Sequence, residues 1–218
     1  MMNSMVKYAM VAVTAGTTGL GLGPSSFAAI IVQPTLVTTT SPTAMKLDWL
    51  PVQVIDGSGL TDATVVANGA TIPTVLPTHY NGYTDLSPLW DNSLRWRATL
   101  GSDQKYFGGG ESMTFTLDKT YNLEGVYLWN YGENGGSAAM GIKGASIEFS
   151  GDGGRTWSTA STLTFNPATF AGDKTVAQYQ VLGSHSANAV RITITANFGA
   201  AESSGTVGLG EIRFTAIP

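Results

Sequence analysis

Residues 112–157 read SMTFTLDKTYNLEGVYLWNYGENGGSAAMGIKGASIEFSGDGGRTW, and three alternating runs within them decide the fold. Alternation with period two puts successive side chains on opposite faces of a strand. Met113, Phe115 and Leu117 face a core while Thr114, Thr116 and Asp118 face out. Val126 and Leu128 share one face, with Tyr127, Trp129 and Tyr131 on the other. Ala145, Ile147 and Phe149 oppose Ser146, Glu148 and Ser150, and the run closes in Gly151-Asp152-Gly153-Gly154, whose glycines supply the positive φ of a tight turn. The stretch predicts a β-sandwich core with a long loop, 130–144, in its middle. That loop is too rich in Gly and Asn for a buried connection, and loops held by a rigid sheet are where binding usually resides.

The 218 residues suit one sandwich domain, because turn signals recur evenly without a linker. A domain of this size buries roughly 70% of its unfolded surface and needs no disulfides, and the chain has no cysteine. Charged residues are 12% of the chain and the net charge is −4, so the basic stripe that nucleic acid requires is missing. Low charge with many Thr, Ser, Gly and aromatics leans toward an exported β-protein.

Residues 1–28 read as a signal peptide: Lys7 gives a positive n-region, 8–22 is apolar or small, and Ser26-Phe27-Ala28 offers small residues at a cleavage site. The run is too short and glycine-rich for a transmembrane segment. The other reading is a buried first strand or helix. Export without cysteine suits a bacterial periplasm or the exterior. The mature domain is then 29–218. Within it, 30–40 predicts an edge strand interrupted by Pro34, 63–67 a short strand, 95–100 a short strand or turn, and 61–95 mostly loops. Further strands are expected at 163–165, 177–181, 189–195 and 211–215, and very little helix.

Read together, several motifs resemble the discoidin, or coagulation factor V/VIII type C, domain family of galactose-binding-like jelly rolls. They are Val54-Ile55-Asp56-Gly57-Ser58-Gly59-Leu60, then Met113-Thr114-Phe115-Thr116-Leu117-Asp118, then Ile147-Glu148-Phe149-Ser150-Gly151-Asp152-Gly153-Gly154-Arg155-Thr156-Trp157. The closing strands Ala189-Val190-Arg191-Ile192-Thr193-Ile194 and Gly208-Leu209-Gly210-Glu211-Ile212-Arg213-Phe214 complete the match over residues 30–218. The resemblance implies a single antiparallel jelly-roll β-sandwich. It also implies a structural Ca²⁺ held by Asp56 and Glu211, positions that match the family's calcium ligands, together with backbone carbonyls; the other reading is a turn-forming Asp and a surface Glu neighbouring Arg213. The terminal cysteines of the blood-clotting members are absent, and 61–111 is longer than the usual span.

Candidate ligand contacts gather around loops. Trp129, Asn130 and Tyr131 stand at the root of the 130–144 loop, followed by Glu133 and Asn134, and a flat ring beside amide and carboxylate groups is what a sugar requires. Packing under the loop is the alternative for Trp129. Trp90, Arg95 and Trp96 form a second candidate lip, and Phe198 lies in a turn. Trp49 and Trp157 read as core. Catalysis lacks parts: His79 and His185 belong to no nucleophile motif, and zinc lacks its usual ligands. The sequence therefore reads as an exported, non-catalytic module binding cell-surface or extracellular glycans. The rival is an adhesive module whose partner is protein or another copy of itself, and a small glycoside hydrolase comes third.

Overall fold

The computed structural model describes residues 28–40, 51–80, 112–132, 138–172, 174–199 and 206–218, with the backbone of 96–99. The signal-peptide segment, apart from Ala28, and Trp49 lie outside the described residues. The edge run expected at 30–40 is two strands, β1 (Ile30–Val32) and β2 (Leu36–Thr39). Pro34, with no N–H to give a ladder, stands between them. There the chain changes neighbours: β1 pairs with the last strand, Thr206–Ile217, and β2 with Ser112–Asn130.

Two pairs of expected strands are in fact continuous. The runs at 113–118 and 126–131 form β5 (Ser112–Asn130), 19 residues long, and those at 177–181 and 189–195 form β10 (Gln178–Asn197), 20 residues long. The register of β10 against β5 shifts between Val181 and His185 and again between Ala187 and Ala189. Such bulges bend a strand and let it serve both layers of a sandwich. The first half of β10 pairs with the C-terminal half of β5, and its second half lies between the N-terminal half of β5 and β6 (Ile142–Ser150).

The remaining strands are β3 (His79–Tyr80), β4 (Trp96–Thr99), β7 (Ser161–Thr164), β8 (Phe170–Ala171), β9 (Lys174–Thr175) and β11 (Thr206–Ile217). The main sheet runs β1-β11-β5-β10-β6-β7, with β2 also on β5 and β4 on β11, while β3-β9-β8 form a small second sheet. These strand pairs are all antiparallel. Among the described residues the helical structure is two 3-10 turns, Pro51–Val54 and Thr64–Val66. The second replaces the strand expected at 63–67. Despite the β-branched Thr64-Val65-Val66, the Asp62 carboxylate accepts from the Thr64 N–H at 3.0 Å and its hydroxyl at 2.5 Å, and this local bonding turns the chain. No helix of the described residues is long and apolar enough to cross a membrane.

The side chains predicted to face inward are buried: Met113, Phe115, Leu117, Val126, Leu128, Ala145, Ile147 and Phe149. They meet β11 through an edge-on contact of Phe115 and Phe214, ring centroids 5.8 Å apart. Trp157, expected in that core, is instead half-buried with the Arg191 guanidinium 4.4 Å from its ring centroid. A second, smaller cluster of Ile31, Val66 and Trp129 forms on the outer face, with Leu60, Ile72 and Leu76 packed against it. The 60–76 segment thus roofs the face of β5 that the alternation had turned away from the core.

Candidate functional site

That roof decides the role of the aromatics at the loop root. Trp129 does point opposite Val126 and Leu128, but it is 0% exposed and its Nε1 donates to the Pro77 carbonyl at 2.8 Å. The expectation that it reaches a ligand is corrected: its ring is spent on packing. Tyr131 is equally enclosed, at 1%.

Asn130 is a clamp rather than a contact. Its Nδ2 donates to the carbonyls of Ile142 (2.7 Å) and Asn166 (3.0 Å), while its Oδ1 accepts from the N–H groups of Tyr131 (2.9 Å) and Ile142 (2.8 Å). Both amide donors and both acceptor positions are filled, so nothing is left for a sugar hydroxyl. The arrangement ties the two ends of the 130–144 loop together. It also requires Gly141, where a Cβ would come within 2.9 Å of Asn130 Oδ1.

The topology nevertheless gathers the described ones among the predicted residues at one end of the sandwich. Ile142 pairs with Asn197, which leads into the half-buried Phe198; Leu209 pairs with both Asn130 and Trp96; and Gly141 bridges to Gly208. The backbone of Trp96, the root of the 130–144 loop and the bend at Phe198 therefore share one rim. Glu133, Asn134, Trp90 and Arg95 lie outside the described residues.

Asp56 and Glu211, 155 positions apart, are brought together at the Asp-Gly turn. The Gly57 N–H donates to Glu211 Oε2 at 3.0 Å, and the turn needs glycine there, since φ is +80° and a Cβ would meet Ala63 at 2.8 Å. Glu211 is 0% exposed, and its other oxygen accepts from Arg213 Nη1 in a buried ion pair. Arg213 is fixed in turn by donating from Nε to the Val66 carbonyl at 3.1 Å and from Nη1 to that of Ile212 at 2.8 Å. Burial pushes the Glu211 carboxyl up against the pull of Arg213, and the negative charge of Asp56 adds to the rise. Asp56 is exposed, with Oδ1 accepting from the Ser58 N–H at 2.7 Å.

Calcium takes six to eight oxygens, several of them carboxylate. Here Glu211 is already met by protein donors, the Gly57 N–H and the Arg213 guanidinium. Ser58 Oγ, buried without a hydrogen-bond partner, adds a single oxygen to Asp56, and no group of three or more His, Cys, Asp or Glu forms among the described residues. Glu211 does neighbour Arg213, but as half of a buried pair and not as the surface Glu of the other reading.

The histidines are structural in placement. His79 is buried at 2% exposure, and His185 stacks on Phe149 at 3.9 Å between ring centroids with Nε2 3.0 Å from the Leu182 carbonyl. What the sequence reading missed is a groove of about 350 Å³ where Asp56 meets Gln33, Asn68 and Val52. No motif marks these residues, which come together only through the β1–β2 crossing and the 3-10 turns.

Set beside known proteins, the chain matches no family model and no curated protein. Solved structures do match. CBM32-3 from a family 31 glycoside hydrolase of Clostridium perfringens superposes with a TM-score of 0.52 at 15% identity, over 85% of this chain and 90% of that one. The chain has the discoidin-like, galactose-binding-type jelly-roll fold. A second Clostridium perfringens CBM32 module, in complex with GalNAc-β-1,3-galactose, gives 0.51 at 14% identity, over 82% of this chain and 93% of that one. The lectin domain of lectinolysin, complexed with Lewis B antigen, gives 0.50 at 10% identity, over 84% and 92%. At such identities the likeness is one of fold.

Proposed function

We propose that this jelly roll is an exported, non-catalytic carbohydrate-binding module whose ligand docks on the rim formed by residues 130–132 and 138–144, the bend at Phe198 and the start of β4. The observation that carries the proposal is the convergence of those segments at one end, with Asn130 clamping the loop root and Trp129 buried as its anchor. A rigid sheet presenting loops at one end is a common way to place binding groups. Carbohydrate-binding modules and a lectin domain among its structural neighbours support the glycan class. The reading assigns the counter-charge of Glu211 to Arg213 in place of calcium.

Screening the mature chain on a glycan array tests the proposal. Saturable binding to one glycan class supports it, and an array without signal, together with concentration-dependent self-association, points to the adhesive alternative. Turnover of chromogenic glycosides would overturn the non-catalytic part.

A further inference from the structure

An edge strand presents a row of unpaired N–H and C=O groups, and native sheets cover such rows or guard them with charge or proline. Here β1 is covered on its outer side: the Ile31 N–H donates to the Ala70 carbonyl at 2.7 Å and the Gly69 N–H to the Ile31 carbonyl at 2.8 Å. The second half of β10 is covered by β6. Its first half differs. From Gln178 to Val181 the strand pairs with β5 on one side, and on the other no strand or loop backbone among the described residues bonds to it. Beyond that run Gly183, at φ +77°, opens the bulge that ends it.

No guard stands on this edge. Residues 176–190 contain no Asp, Glu, Lys, Arg or Pro. The side chains on its outer face are apolar and open: Val181 is 73% exposed and Tyr179 44%. Tyr179 is also held in place. Its ring packs on Tyr127, centroids 4.7 Å apart, and its hydroxyl crosses β5 at Gly125, where a Cβ would collide with it, to lie 3.5 Å from Thr215 Oγ1. A ring fixed before docking loses little freedom on docking.

We propose that this edge is a homodimer interface, in which β10 of a second copy pairs antiparallel with β10 about a two-fold axis at Gln180. The occupant follows from self-complementarity. A two-fold at Gln180 sets Tyr179 of each copy opposite Val181 of the other, an aromatic–β-branched pair made twice, with Gln180 opposite Gln180 on the other face. An uncharged strand meets no like charge in its own copy. Such a pairing closes on itself, so it forms a dimer and not a filament. The main sheet becomes continuous through both copies, and because the paired strands are antiparallel the second copy is turned end for end. The rims of the two copies then face opposite ways. The edge is separate from the rim, so this interface stands or falls independently of the glycan reading.

Sedimentation of the mature chain over a range of concentrations is the test, with Val181→Lys as the variant and melting measured for both. A monomer–dimer equilibrium is expected, weakened about tenfold or more by Val181→Lys, which acts twice by symmetry and sets a charge on the edge. Val181 is exposed, so the variant should melt as the wild type does where both are monomeric. The register is read separately. In a chain without cysteine, Gln180→Cys should cross-link to its own copy on mild oxidation, because residues directly opposite lie within disulfide reach; Val181→Cys, two places along the ladder from its counterpart, should not. A monomer at every concentration, a dimer that Val181→Lys leaves equally strong, or cross-linking through Val181→Cys and not Gln180→Cys would each overturn the assignment.

Discussion

Trp129 shows how one side chain can obey the sequence rule and still not do what the rule suggested. Period two set its direction, but whether that face met water depended on the 60–76 segment, more than fifty positions away in sequence, whose placement no local pattern encodes. Trp129→Ala is expected to lower stability by roughly 3–5 kcal/mol, as loss of a buried aromatic does. Thermal or denaturant melting checks this, and a stable variant would mean that the indole is not enclosed. Arg213→Met leaves Glu211 buried and unpaired, so it should cost about 3–5 kcal/mol as well. Chelators, by contrast, should leave the melting temperature of the wild type unchanged, because an ion bound only by the folded state would show itself by mass action. A fall on chelation would restore calcium at Asp56 and Glu211.

At the scale of elements, the alternating runs were legible and their joins were not. Met113–Leu117 and Val126–Leu128 each advertise a strand, but the polar interval Asp118–Glu124 hides that β5 runs through it, because β10 pairs with that interval from outside. Val65 and Val66 misled in the opposite direction, since a nearby Asp62 outweighs β-branching in a three-residue segment. The hairpin after β6 was readable residue by residue. There Asp152 accepts from the Arg155 and Thr156 N–H groups at 3.1 and 2.9 Å and from the hydroxyls of Ser150 and Thr156 at 2.7 Å each. Those bonds, led by that of the Thr156 backbone, hold its carboxyl well below the usual range. A depressed carboxylate contributes stability that is complete above its unfolded value of about 3.8 and is lost as pH falls toward the folded one. Amide exchange at Arg155 and Thr156 should therefore stay protected at pH 4 and rise in stronger acid, and Asp152→Ala, which has no acceptor there, should be unprotected at both. Equal protection in the variant would remove Asp152 from the turn.

Across the whole molecule, the fold was readable because its motifs recur in the order a jelly roll uses them, whereas the site depends on which loops meet at one end. By backbone position Trp96 and the bend after Asn197 lie at that end of the sandwich; Trp129, Asn130 and Tyr131 form its foundation instead of its surface. Export is tested separately, by mass spectrometry of the secreted chain, which should begin at Ala29; an intact Met1 there would contradict it. The rim itself is tested most directly by following backbone amide signals while neutral glycans that score on an array are titrated in. The account predicts the largest shifts at Tyr131, Ile142, Asn197, Phe198 and the 96–99 strand, with little change around the 151–156 hairpin. Shifts centred on that hairpin, or glycans that bind without disturbing the rim, would contradict it.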